Sequence, residues 1–136
     1  MANEWTLVFE TELPIPFTVS DSVAVEKGTL MQLSDPFTAS AATAAGQMIA
    51  GISAEEKIAN DGKTKLGVYR AGIFKGTASG AILIGQACAA NTNNTVIVAG
   101  ITVSGSAVVG HSFETAALNE TFLMDMHIGG MGNQIA

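Results

Sequence analysis

The densest cluster of titratable residues in this chain is 53-SAEEKIANDGKTK-65, where Glu55, Glu56 and Asp61 stand among Lys57, Lys63 and Lys65. Neighbouring carboxylates are the beginning of an oxygen cage, but a calcium loop needs more oxygens at regular spacing. The interleaved lysines predict solvated ion pairs instead. His111 and His127 are the only histidines, and each lies in a β-patterned run. A strand residue whose ring nitrogen is satisfied by a neighbour is expected there, not a catalytic base. No serine sits in a G-x-S-x-G elbow, and Ser104-Gly105-Ser106 reads as turn filler. The segment 76-GTASG-80 lacks the lysine that would complete a phosphate loop, and 129-GGMG-132 lies at the chain end. Cys88 is the single cysteine, inside the apolar run 81-AILIGQACAA-90. That excludes an intramolecular disulfide and a cysteine-based zinc site, and predicts a small buried hydrophobe. The expectation is a chain that is not an enzyme and holds no metal and no cofactor.

The overall balance points the same way. The 136 residues carry a net charge of −6 with six Lys plus Arg, which excludes the cationic face that nucleic acid requires and argues against anionic membrane surfaces. Charged residues make up 13%, against about a quarter in ordinary domains. A surface low in charge and rich in Ala, Gly, Ser and Thr suits a protein packed among copies or partners. The N-terminus has Glu4 and Trp5 where a signal peptide would have Lys or Arg followed by an apolar run. The most apolar region, 95-TVIVAGITVSGSAVVG-110, is β-branched and broken by Thr, Ser and Gly, so it does not read as a membrane helix. Synthesis and folding in a cytoplasm are expected.

The elements that must position these groups are strands. Period-two alternation marks 5-WTLVFE-10, with Trp5, Leu7 and Phe9 on one face. Similar runs are 23-VAVEKGTLMQL-33, 47-QMIAGIS-53, 64-TKLGVYR-70, 72-GIFKG-76, 81-AILIG-85, 95-TVIVAG-100, 101-ITV-103, 107-AVVGHSF-113 and 121-TFLMDMHI-128. Met31, Met48, Met124 and Met126 fall at strand positions as core filler. Short runs bounded by Gly, Asn, Asp, Ser and Pro predict an all-β fold, a compact small β-barrel or sandwich with at most one or two short helical turns. One such turn is expected after Ser53, whose spacing to Glu56 fits a capping box. The segments 34-SDPFTASAATAAG-46 and 91-NTNNT-95 read as an Ala-rich loop and a polar turn. A faint repeat relates Ile49-x-Gly51-x-Ser53-x-Glu55, Asn60 and Thr64-x-Leu66 to Val108-x-Gly110-x-Ser112-x-Glu114, Asn119 and Thr121-x-Leu123.

Residues 1–20 stand apart from a body spanning 21–136. Trp5, Leu7, Phe9, Leu13, Ile15 and Phe17 are large and apolar, whereas Pro14 and Pro16 lack the N–H groups a central strand needs. Burial of these side chains alone does not offset the entropy of ordering the segment, so it also needs backbone hydrogen bonds on a preformed surface. Two arrangements satisfy this. In one, the segment is an extended N-terminal arm with 5-WTLVFE-10 added to a sheet edge of another subunit and 13-LPIPF-17 bridging outside any ladder. In the other it is the first strand of its own domain, with the prolines at an edge.

Three segments, 26-EKGTLMQLSDP-36, 61-DGKTKLGVYRAGIFK-75 and 110-GHSFETAALNETF-122, together resemble the small capsid-decoration (head-stabilising or cement) proteins of tailed bacteriophages. The resemblance implies a β-rich body with an N-terminal arm, a homotrimer on the outer capsid surface of the virion, and the major capsid protein as partner. It gives Trp5, Leu7, Phe9, Leu13, Pro14, Ile15, Pro16 and Phe17 the role of partner contacts between capsid subunits. The alternative is a virion-surface module that binds glycans or a host receptor.

Overall fold

The computed structural model describes residues 3–99 and 107–128. Its strands are β1 (Thr6–Phe9), β2 (Ile15–Thr18), β3 (Leu30–Asp35), β4 (Thr38–Ala41), β5 (Ile49–Ser53) and β6 (Lys65–Tyr69). They continue with β7 (Ala71–Thr77), β8 (Ala87–Ala90), β9 (Val96–Val98), β10 (Val108–Ser112) and β11 (Thr121–His127). One 3-10 turn, Thr92–Asn94, accompanies them. The fold is all-β, as the alternation predicts.

The strands form two units of the same design. β2, β4, β3, β5 and β6 close into a barrel in that order. In the second sheet β7, β11, β10, β8 and β9 follow the matching order, with β1 added outside β7. A parallel bridge from Ala78 to Val96 draws this sheet round, as β2 meets β4 in parallel through Thr18 and Thr38. The match reaches individual hydrogen bonds. Gly28 N donates to Ser53 O (3.1 Å) and Gly85 N to Ser112 O (2.8 Å). The Ser53 hydroxyl donates to Glu26 O at 2.8 Å and that of Ser112 to Leu83 O at 2.6 Å. Val25 bridges Lys57, and Ile82 bridges Ala116. Asn60 and Asn119, which donate to Asp21 O and Ala78 O, both take a left-handed backbone, φ 60° and 68°. The faint repeat of the β5–β6 and β10–β11 hairpins is therefore one part of a larger internal duplication, in which 21–42 corresponds to 78–99 and 49–60 to 108–119.

Two packed clusters follow. Phe17, Val19, Val25, Met31, Ala39, Ala50, Leu66 and Val68 fill the first barrel. The larger cluster joins Leu30, Ile49 and Ile52 of the first unit to Phe74, Ile82, Val109, Phe122, Met124 and Met126 of the second, with Trp5 among them. All of β5 is buried because Ala50 packs in the barrel interior while Ile49 and Ile52 pack against the second unit. Cys88 is buried in this larger cluster, and burial pushes its thiol up to about 12.

Several expectations shift on folding. The run 81-AILIG-85 is no strand: only Ile82 is buried, while Leu83 and Ile84 are exposed and Gly85 turns left-handed at φ +83°. Residues 38–41 of the Ala-rich loop form β4, whose small side chains pair along β3 and bury Ala39. Ser53 caps no helix; its hydroxyl holds the backbone of Glu26 and Thr29. Met48 is exposed, unlike the buried Met31, Met124 and Met126. The expected strand 101-ITV-103, Ser104-Gly105-Ser106 and 129-GGMG-132 lie outside the described residues.

Candidate interaction surface

The N-terminal segment is built into the body through two glycines. The Trp5 ring lies on Gly76, where a Cβ would overlap it, and meets Phe122 edge-on with ring centroids 6.2 Å apart. Trp5 N donates to Gly28 O at 3.0 Å, and a Cβ on Gly28 would stand 2.6 Å from Trp5 O. The indole N–H donates to Asn94 O at 2.9 Å. The Asn94 side chain accepts from Leu30 N at 2.7 Å and donates to Asn3 O and Gly28 O, so one buried amide ties the N-terminal segment and the first unit to the second. β1 then pairs antiparallel with β7.

Of the residues assigned to partner contact, Trp5 and Phe17 lie in the protein's own core, at 2% and 3% exposure. Leu7, Pro14 and Ile15 are half-buried, and Pro16 is exposed. Phe9 and Leu13 are the exposed apolar pair, at 63% and 73%. A register shift between Leu7 and Phe9 turns Phe9 off the face it would share with Trp5. The eight residues thus do not form one surface. Residues 5–18 supply strands to both units, and the stretch set apart as a bridge outside any ladder, 13-LPIPF-17, includes most of β2. β2 pairs with β6 from Ile15 to Thr18 but with β4 only at Thr18. Its other side is open along Pro14–Phe17, where a missing N–H removes no bond and blocks further strand addition. Beyond β1, Glu10 accepts a 3.0 Å hydrogen bond from the Tyr69 hydroxyl, whose ionisation is raised first by burial and then by that carboxylate.

The acidic cluster is also rearranged. Lys63 and Glu55 form the solvated pair expected, at 3.6 Å. Lys57, however, is enclosed, with its ammonium 2.9 Å from Asp21 Oδ1 and 2.5 Å from Asp61 Oδ1 and donating to Ile58 O. Burial pulls the lysine down, but the two carboxylates outweigh it and leave it above its ordinary 10.5. The Lys57 hydrogen bond, followed by that of Lys63 N, lowers Asp61 from 3.8 to about 2. No counterpart exists in the second unit, where Ala78 and Ala116 occupy the places of Asp21 and Lys57. A depressed carboxylate stabilises the fold above its unfolded value and loses that contribution as pH falls through the folded one. Urea midpoints of the natural chain are therefore expected to fall between pH 4 and pH 2 more steeply than those of Asp61→Asn; parallel curves would remove the clasp from the pH response.

The remaining surface feature is apolar. Leu83, Ile84 and Phe113 are exposed at 59%, 68% and 48%. The Ser112 hydroxyl donates to Leu83 O and Ile84 N donates to Thr115 Oγ1, so the 83–84 and 113–115 loops lie together. The matching places in the first unit hold Glu26, Lys27 and Ala54. Sequence reading passed over this patch because 81-AILIG-85 reads as a strand; extending the repeat back to Val25-x-x-Gly28 and Ile82-x-x-Gly85 would have marked it as a turn. An open cleft of about 720 Å³ lies at the unit junction, lined by Asn3, Thr29, Thr43 and Asn93 among others. Among the described residues, no group of three or more His, Cys, Asp or Glu side chains is placed to hold a metal ion.

No protein-family model and no curated protein matches this sequence. Among solved structures, the chain shares its fold with a bacteriophage protein. This is the head fiber gp8.5 N base of bacteriophage phi29, with a TM-score of 0.53 and 15% identity, covering 82% of this chain and 91% of that one.

Proposed function

We propose that this chain is a virion structural protein that binds the outer surface of an expanded phage capsid and stabilises it, with the major capsid protein as partner and a homotrimer as the working form. The observation that carries the reading is the fold it shares with the base of a phage head fiber. The net charge of −6 suits the outside of a shell, away from packaged DNA. Phe9, at the end of β1, and Leu13 beyond it are the large apolar side chains of the N-terminal segment most open to a neighbour. The proposed role is binding without catalysis. A protein that binds the expanded lattice and not its precursor stabilises the expanded state by mass action, and many copies add small contributions.

The test is co-sedimentation with expanded and unexpanded heads assembled from the major capsid protein of the phage or prophage that carries the gene. Saturable binding to expanded heads, with a rise in their disruption temperature, is expected. Equal or absent binding to the two forms overturns the reading. Light scattering of the purified protein checks the trimer: a monomer at high concentration removes that part.

A further inference from the structure

We propose that the second unit carries a vacant seat, centred on Gly85 and edged by Leu83, Ile84 and Phe113, for an extended apolar segment of the capsid protein. This rests on the capsid-binding reading above. The argument comes from the duplication. Gly28 and Gly85 occupy matching places, with the same φ of +83° and matching hydrogen bonds to Ser53 O and Ser112 O. At Gly28 the place is filled: the extended backbone at Glu4 and Trp5 crosses it, donates Trp5 N–H to Gly28 O, and comes too close for any Cβ. At Gly85 nothing among the described residues lies within 4 Å of where a Cβ would stand.

The flanking residues differ in the direction a partner site requires. Glu26 and Lys27 surround the filled seat, whereas Leu83 and Ile84 present large apolar side chains to solvent around the vacant one. The first unit shows what this geometry accepts, namely a backbone in extended form that uses its own N–H. The segment that fills the first seat is not available to fill the second in another copy, because Trp5 is held on Gly28, Gly76 and Asn94. The occupant is assigned to the capsid protein, the partner in the reading above.

Substitution of Gly85 by Asn separates the seat from the fold. Asn tolerates a left-handed backbone, and Asn60 and Asn119 already adopt one in this chain. The added side chain meets open space in the free protein but blocks a backbone approaching as closely as Trp5 approaches Gly28. Gly46→Asn, at another left-handed glycine with nothing within 4 Å, is the control. Binding of each variant to expanded heads is measured alongside thermal unfolding. Gly85→Asn and Ile84→Asp are expected to keep the unfolding temperature and to bind at least about tenfold more weakly, with Gly46→Asn unchanged. Folded Gly85→Asn and Ile84→Asp that both bind within about twofold of the natural chain overturn the seat and leave the capsid reading standing. If Gly85→Asn does not fold, Ile84→Asp decides alone by the same criterion. If the natural chain binds no heads, the capsid reading falls and takes the seat with it. If Gly85→Asn lowers the oligomeric state in the absence of heads, the occupant is a second copy and the assignment is overturned.

Discussion

Trp5→Ala is expected to destabilise the fold by about 3–5 kcal/mol, the range for removing a large buried aromatic side chain. The ring is 2% exposed, packs between Gly76 and Phe122, and holds Asn94 O through its indole N–H. Its loss leaves a cavity at the junction of the two units and an acceptor without its donor. Urea unfolding with a constant slope measures the change; a loss under about 1 kcal/mol would mean that the segment docks loosely. Gly76→Ala attacks the same contact from the other side, because its Cβ overlaps the ring. The two substitutions share one site, so Trp5→Ala combined with Gly76→Ala costs less than the two separately. Deletion of residues 1–20 is expected to unfold the protein altogether, since it removes Trp5 together with β2, a staff of the closed barrel. A deletion variant with intact far-ultraviolet dichroism and cooperative melting would restore the picture of a dispensable arm.

Gly51→Ala and Gly110→Ala are expected to destabilise by about 1–3 kcal/mol or more, and to a similar extent, because they are the same position in the two units. In each case a Cβ would overlap a carbonyl oxygen of the partner strand, Tyr69 O for Gly51 and Asp125 O for Gly110. Backbone in a central ladder cannot swing aside as the end of a side chain can. Gly51 adds a φ of +151°, which other residues rarely take. Thermal melts of the two variants check the equivalence. A marked loss for one and none for the other would show that the units do not respond as repeats.

The β-rich class was legible because alternation and short spacing act locally: β1, β5, β6, β9, β10 and β11 each lie within a run that alternation marks, and the run 72–76 forms the middle of β7. β4 and β8 were not, because 38-TASA-41 and 87-ACAA-90 carry little hydropathy contrast and become strands by pairing with β3 and β10. Leu83 and Ile84 show the converse. Their composition is that of a strand, and a left-handed Gly85 with no cover leaves them at the surface.

The sequence by itself determined an acidic, low-charge, all-β chain with one part of its repeat visible in Gly51, Ser53 and Asn60 and again in Gly110, Ser112 and Asn119. Those residues recur because a close strand crossing, a hydroxyl cross-link and a left-handed turn each admit few side chains. Only the tertiary structure decided what residues 5–18 do and which ions pair, because such contacts join residues far apart in the chain. Trp5 is core because Gly28, Gly76 and Asn94 meet around it, and Lys57 is buried because Asp21 reaches it across 36 positions. No pattern within a short window encodes such meetings.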